Sequence, residues 1–459
     1  MIMQGGWVET GTAAGVVRGF EKDGVARYLG VPYADPPVRF APPAPRTPWD
    51  GVRDCTTPGP NAPQPARTFG PLDMTPILGT PRPGADYLTV DIWTPGGTDL
   101  PVMVFVHGGA FVAGEPGAPA YDGTALAQAG VVLVSVTYRL GIEGFLPLAG
   151  GATNIGLRDQ IAALEWVRDN AAAFGGDPGN VTVFGESAGA VSVGCLLGSP
   201  LARGLFRRAI TQSGNAEMVH SLPVTQAFAG RVAAALGVPA TAEGFRSRTV
   251  EEALAVQAGM IGPAIGDMRE PDGSDPGFGL GAFAPVVGDD VLPEPPMAAL
   301  AEVAVLVGWN SEEFRLYTVP LGTIDALTAE TVGAALGAVH PQAAELLAAQ
   351  EGTPGERYTA ALTELVFAGP SRRLAAALPG PTHVYEFTWR SPSFGGRLGA
   401  CHGLELPFVF GTLPSCTGQD ALAGEDPPAA LSTELVAAWT SFARTGDPGW
   451  ACGEPRRFG

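Results

Sequence analysis

One lysine, Lys22, serves a chain of 459 residues; the other basic side chains are all arginine, which reflects coding preference and not a function. Acidic residues outnumber basic ones by 46 to 27, giving a formal net charge of −19 and a pI near 4.6. That balance argues against nucleic acid or an anionic membrane surface as a partner. Long apolar runs are also missing. None reaches the roughly 18 residues of a membrane span, so no membrane association is expected. The opening MIMQGGWVETGTAAG has neither the basic start nor the apolar core of a signal peptide. Cysteine is sparse and scattered at Cys55, Cys195, Cys401, Cys416 and Cys452, with no Cys-x-x-Cys pair. Neither a metal site nor a disulfide framework is expected from such a set, and a reducing cytoplasm fits it.

What the chain does have is apolar content, 46% of it, ample for a core. Strands and helices alternate from about residue 88 to 213. Val102–Val106, Val131–Val136 and Val181–Phe184 are solid apolar runs of the kind that parallel strands need when both faces are covered. Leu157, Ile161, Leu164 and Val167 fall at helical spacing between them, with Gly175 to end the segment. Val303–Val307 and Val384–Trp389 read as two further strands. The pattern predicts one α/β domain over residues 1–459, built on a mostly parallel, doubly wound sheet. The first 90 or so residues read as a Pro-rich edge meander with loops. Residues of about 215–300 and 315–380 read as helical and loop insertions, including the irregular stretch GDMREPDGSDPGFGLGAF at 266–283.

The stretch VTVFGESAGAVSV, residues 181–193, carries the chemistry. A G-x-S-x-G pattern alone is weak evidence, but here an apolar strand runs into Ser187 and a small-residue helix leaves it. So sharp a corner strains the backbone at Ser187 and needs the side-chain-free Gly185 and Gly189 around it. It lifts the hydroxyl out of the sheet at the positive end of the next helix, as in the nucleophile elbow of an α/β-hydrolase.

A serine so placed requires a base, an orienting acid and an oxyanion hole. The fold's chain order of Ser, then acid, then His removes His107, which precedes the serine. Of His220, His340, His383 and His402, only His402 lies in a glycine-flanked loop just past a strand, in LGACHGLELPFVFG. A histidine base predicts kcat/KM rising with pH through about 6 to 7. Glu312 and Glu313 follow the Val303–Val307 strand and are the candidates for the acid, with Asp289 and Asp290 as rivals. In VFVHGGAFVAG, Gly108, Gly109 and Ala110 end another strand; their N–H groups, with that of Ala188, can hold a developing negative charge. Phe111 beside them can line a substrate pocket or the core.

Several longer stretches resemble the type-B carboxylesterases of the cholinesterase/carboxylesterase family, closest in style to bacterial para-nitrobenzyl esterases. They are YLGVPYADPPVRFAPP, FVHGGAF, VTYRLGIEGFL, the block from Asn154 to Gly189, AITQSG, GWNSEE, CHGLELPFVFG and AAWTSFARTGDP, in family order between residues 28 and 448. The resemblance implies a serine hydrolase cleaving small-molecule esters through an acyl-enzyme, without metal or cofactor, as a monomer or weak homo-oligomer; the alternatives are another serine hydrolase, of lactones, amides or lipid esters, and a non-catalytic binding protein of the same fold. It puts the nucleophile on Ser187, the acid on Glu313 and the base on His402. Gly109, Ala110 and Ala188 fall on the oxyanion donors, and Glu186 and Ser213 on supporting polar positions. Three departures stand out. GPNAPQ and GADYLTVDIW occupy the places of the family's first disulfide loop, so a choline-ester preference is not expected. Phe314 replaces a common glycine, and the ending GDPGWACGEPRRFG is short.

Overall fold

The computed structural model describes residues 5–260, 265–278, 281–338 and 340–459. Its strands are β1 (Gly6–Gly11), β2 (Val16–Lys22), β3 (Val25–Pro32), β4 (Val52–Asp54), β5 (Thr89–Thr94), β6 (Leu100–Val106) and β7 (Val132–Val136). They continue with β8 (Gly176–Glu186), β9 (Arg208–Gln212), β10 (His220–Ser221), β11 (Val286–Val287), β12 (Ala304–Asn310), β13 (Thr382–Phe387) and β14 (Pro455–Phe458). One large sheet has the order β1-β2-β3-β5-β7-β6-β8-β9-β12-β13-β14, with β4 beside β2; β10 and β11 pair separately. Pairings from β1 to β7 along this order are antiparallel. From β7 through β14 every pairing is parallel.

The apolar runs behave as doubly covered strands should. Successive side chains point to opposite faces, and each face meets its own buried cluster. Val102, Val104 and Val106 join Val132, Val134, Val181 and Val183 on one side. Met103 and Phe105 join Leu133, Phe184, Ile210 and Leu306 on the other. Helices supply the covers. Helix α1 (Ile155–Asn170) buries Leu157, Ile161, Leu164 and Val167, the stripe read from the sequence. Helix α2 (Ala188–Gly198) leaves the Ser187 corner and is buried throughout.

Two insertions rise between strands. Between β9 and β12 come α3 (Leu222–Leu236), α4 (Val250–Gly259) and the largely irregular 266–278; of the expected insertion, residues 279 and 280 lie outside the described residues. Between β12 and β13 come α5 (Ala329–Gly337), α6 (Pro354–Leu362) and α7 (Gly369–Ala377). Helix α8 (Ala429–Thr445) packs Trp439 and Phe442 beneath the sheet.

Some boundaries differ from those read in the sequence. The Val181–Phe184 strand extends back to Gly176 as part of β8, because Asp177-Pro178-Gly179-Asn180 carries no apolar signal although its backbone stays extended. In the N-terminal region β1 to β3 pair antiparallel at the edge of the sheet. At the other end the short terminus finishes the sheet: β14 pairs with β13, and Phe458 is buried.

A buried ion pair secures the corner between β7 and α1. Arg139 and Asp159 are both fully buried, joined by Nε to Oδ2 at 2.8 Å and Nη2 to Oδ1 at 2.6 Å. Arg139 also donates to the carbonyls of Val38 and Ala41.

Candidate active site

Ser187 takes φ 54° and ψ −124°, a strained backbone for a side-chain-bearing residue, at the junction of β8 and α2. The glycines make the corner possible. A Cβ on Gly189 would run into the carbonyl of Val106, and one on Gly108 would lie 2.6 Å from Glu186 Oε2. Strand β6 can therefore end directly against the elbow. Beyond it Gly109 (φ 113°), Ala110 (φ 55°) and Phe111 (φ 60°) turn in succession through left-handed conformations. No acceptor among the described residues takes the N–H of Gly109, Ala110 or Ala188. That of Ala188 opens a helix, where the first N–H groups are unpaired by construction.

Glu313 follows β12 and His402 follows β13, adjacent parallel strands whose ends lie together. The two residues meet twice. His402 N donates to the Glu313 carbonyl at 3.1 Å, and His402 Nδ1 lies 2.7 Å from Glu313 Oε2. The other carboxylate oxygen, Oε1, accepts from Asn310 N at 2.7 Å. Glu313 is wholly buried, and His402 is nearly so. On the far side of the ring, Nε2 has no hydrogen-bond partner among the described residues, and Glu186 Oε1 lies 3.2 Å from it. Phe367 and Tyr317 pack on the imidazole, with ring centroids 4.6 and 5.8 Å away.

The rival acids are engaged elsewhere. Glu312 caps Ala400 N and pairs with Arg315 and Arg390. Asp289 accepts from Thr153, Asn154 and the backbone of its own turn, which fixes the start of α1. Asp290 is exposed and pairs with Arg158. The other histidines have different surroundings. His107 stacks on Tyr138, and burial drives its pKa down to about 4. His220, His340 and His383 do not line the Ser187 cavity.

Electrostatics depart from a free histidine. Burial opposes charging of His402, but Glu186, Glu313 and Glu405 together outweigh it and raise the pKa to about 9. The shift is upward from the ordinary histidine range of about 6 to 7. Burial pushes Glu186 up to about 8, with His402 pulling the other way.

Glu405 went unrecognised in the sequence. It is fully buried and accepts from Gln212 Nε2 at 3.1 Å and Asn310 Nδ2 at 2.7 Å. Gln212 Oε1 in turn accepts from Trp439 Nε1 at 3.0 Å. A signal existed: Glu405 is the lone acid inside the apolar run CHGLELPFVFG, where a carboxylate needs partners.

Ser187, His402, Glu186, Gly109, Ala110 and Ala188 line one cavity of about 200 Å³, joined there by Ser213 and Phe111. The Ser213 hydroxyl is buried and has no hydrogen-bond partner among the described residues. Phe111 lines the cavity and packs 4.5 Å from Phe145. The other walls come from parts no motif marked. The loop after β4 brings Arg67, Phe69, Met74, Ile77 and Leu78. A π-helical turn, Thr363–Ala368, brings Val366 and Phe367. Among the described residues no cluster of His, Cys, Asp and Glu could hold a metal ion, and no helix is long and apolar enough to cross a membrane.

A mostly parallel sheet with a serine corner after its central strand and a histidine–acid pair past later strands defines an α/β-hydrolase. Residues 6–455 match the family model described as "Carboxylesterase family", and the chain belongs to that family. It is 37% identical to the para-nitrobenzyl esterase of Bacillus subtilis (strain 168), over 95% of this chain and 90% of that protein. With the phenmedipham hydrolase of Pseudarthrobacter oxydans the identity is 35%, again over 95% and 90%. Among solved structures, a PNB esterase superposes with a TM-score of 0.85 at 34% identity, covering 98% of this chain and 95% of that one. A Geobacillus stearothermophilus carboxylesterase gives 0.80 at 35% identity, covering 97% and 93%. The protein is a serine hydrolase of carboxylic esters.

Proposed function

We propose that Ser187, His402 and Glu313 form the catalytic triad, with Gly109, Ala110 and Ala188 as the oxyanion hole. The observation that carries this reading is the 2.7 Å contact from His402 Nδ1 to Glu313 Oε2, in a histidine that lines the cavity holding Ser187 and has Glu186 Oε1 3.2 Å from its opposite ring nitrogen. His402 Nε2 accepts the Ser187 proton as Oγ attacks the ester carbonyl. The carbonyl oxygen becomes an oxyanion held by the three N–H groups. The tetrahedral intermediate collapses, and the alcohol leaves with the proton from His402. Water then attacks the acyl-enzyme by the same route and releases the acid. Glu313 keeps Nδ1 protonated and stabilises the imidazolium. Glu186 and Ser213 support the site from its wall, Gly108 gives the close approach behind it, and Phe111 shapes the pocket.

The chain works as one catalytic domain over residues 1–459; support comes from a sheet that begins at β1 and ends at β14. The cysteines all stand as free thiols, which suits a reducing compartment such as the cytoplasm. The substrate is a small ester, in keeping with a cavity of about 200 Å³. Labelling with a fluorophosphonate tests the reading: peptide mass spectrometry should find the adduct on Ser187, and an adduct on another serine would overturn it.

A further inference from the structure

Arg67 has no part in the chemistry above, yet it stands at the site. Its side chain lines the cavity of Ser187 and also an adjoining one of about 370 Å³ that shares Ala110, Gly281 and Phe283 as a partition. Among the described residues no other arginine or lysine lines either cavity. The guanidinium pairs with no carboxylate among the described residues. Its contacts are one long hydrogen bond, Nη1 to the Gly109 carbonyl at 3.4 Å, and the face of Phe69 at 5.5 Å. Arg67 is exposed, so water can satisfy the guanidinium that no acid holds, and the fork stays open to an incoming anion. Tyr317, the titratable neighbour that acts on it, is kept neutral because burial raises its pKa, with Glu186 adding to the effect.

The loop that carries Arg67 is held firmly. Gln64 clamps Gly114 through both its amide atoms, at 2.8 and 3.0 Å. Further along, Asn61 accepts from Arg82 N at 2.9 Å and donates to the Thr80 carbonyl at 2.8 Å. Glu115, buried beneath, takes Thr80 N at 3.0 Å and Arg82 Nη1 at 2.9 Å. This polar lattice lies where the sequence lacks a disulfide loop, and it fixes a cation at the edge of an otherwise mainly apolar cavity.

We propose that Arg67 is a specificity-determining residue that selects esters carrying a second, anionic group, a carboxylate placed several bonds from the scissile carbonyl. A guanidinium presents a planar fork that a carboxylate can meet with two hydrogen bonds. The weak bond to Gly109 gives way when the carboxylate arrives. Arg67 is exposed, so water and salt compete with the pair, and selection comes from the fork geometry and from the positive charge placed at the cavity's edge. The proposal rests on the ester-hydrolase reading of this same cavity.

Two matched substrates test it: the mono-4-nitrophenyl ester of adipic acid, with a free carboxylate, and its methyl-capped neutral counterpart. The quantity read is the ratio of their kcat/KM values. Wild type should favour the anionic ester, the preference should shrink as salt rises, and Arg67→Met should lower the ratio at least tenfold, chiefly through KM. Arg67→Lys should restore part of it. A ratio unchanged within twofold in Arg67→Met, or a wild-type preference for the neutral ester, would overturn the proposal. Failure to cleave any of the esters would strike instead at the ester-hydrolase reading, so the two failures are told apart.

Discussion

Glu313 and His402 are tied by backbone and side chain together: the His402 amide donates to the Glu313 carbonyl, and the His402 imidazole meets the Glu313 carboxylate. The first bond sets the loop and the second sets the ring. With Asn310 N holding the remaining carboxylate oxygen, the imidazole has little freedom to turn its reactive nitrogen away from the cavity.

That arrangement separates two adjacent glutamates. Replacing an orienting acid by its amide favours the wrong imidazole tautomer, at a cost of about 10⁴ in kcat in a serine protease. Glu313→Gln should lose at least about a hundredfold in kcat. Glu312→Gln, which only loosens contacts with Arg315, Arg390 and Ala400, should lose less than about tenfold. Steady-state rates on a nitrophenyl ester check the order, and a reversal would make Glu312 the acid.

The pH dependence follows from the carboxylates around His402. A base must be neutral to accept a proton, so a pKa raised to about 9 means that activity climbs with pH through a limb above the usual histidine range. Because Glu186 lies 3.2 Å from Nε2, the limb belongs to the pair and not to His402 alone. Glu186→Gln removes a negative charge that favours imidazolium, and the limb should move to lower pH by about 1 unit or more. A kcat/KM profile with the same midpoint in the variant would mean that Glu186 does not act on the base.

Stability should depend heavily on the buried pair under the β7–α1 corner. Asp159→Ala leaves the Arg139 guanidinium buried without a counter-charge, a change that costs about 3 to 5 kcal/mol in comparable cases. Removing an exposed partner, as in Glu434→Ala beside Arg456, should cost less than about 1 kcal/mol. Urea midpoints of the two variants make the comparison. Equal midpoints would show that the buried pair contributes no more than a surface one.

Much of this architecture was legible because its signals are local. Apolar runs gave the parallel strands, and the Ser187 corner showed in five consecutive residues. His402 followed from scarcity, since few histidines come after the serine. Glu313 needed more than the residues alone, because adjacent glutamates look alike until the β12 turn decides which faces inward. Glu405 and Arg67 were missed for a different reason. Their roles depend on partners distant in sequence, Gln212 and Asn310 for one and the Gly109 loop for the other. The π-helical turn bearing Phe367 was hidden because one extra residue in a turn leaves no mark on apolar periodicity.

The central claim is that Ser187 performs the attack, and Ser187→Ala tests it most directly. Loss of a triad nucleophile has cost about 10⁶ in kcat in a well-characterised serine hydrolase. Turnover of a 4-nitrophenyl ester should fall by that order while the variant keeps the wild-type circular dichroism spectrum and melting temperature. A folded Ser187→Ala enzyme that retained even about a tenth of the wild-type rate would contradict the account.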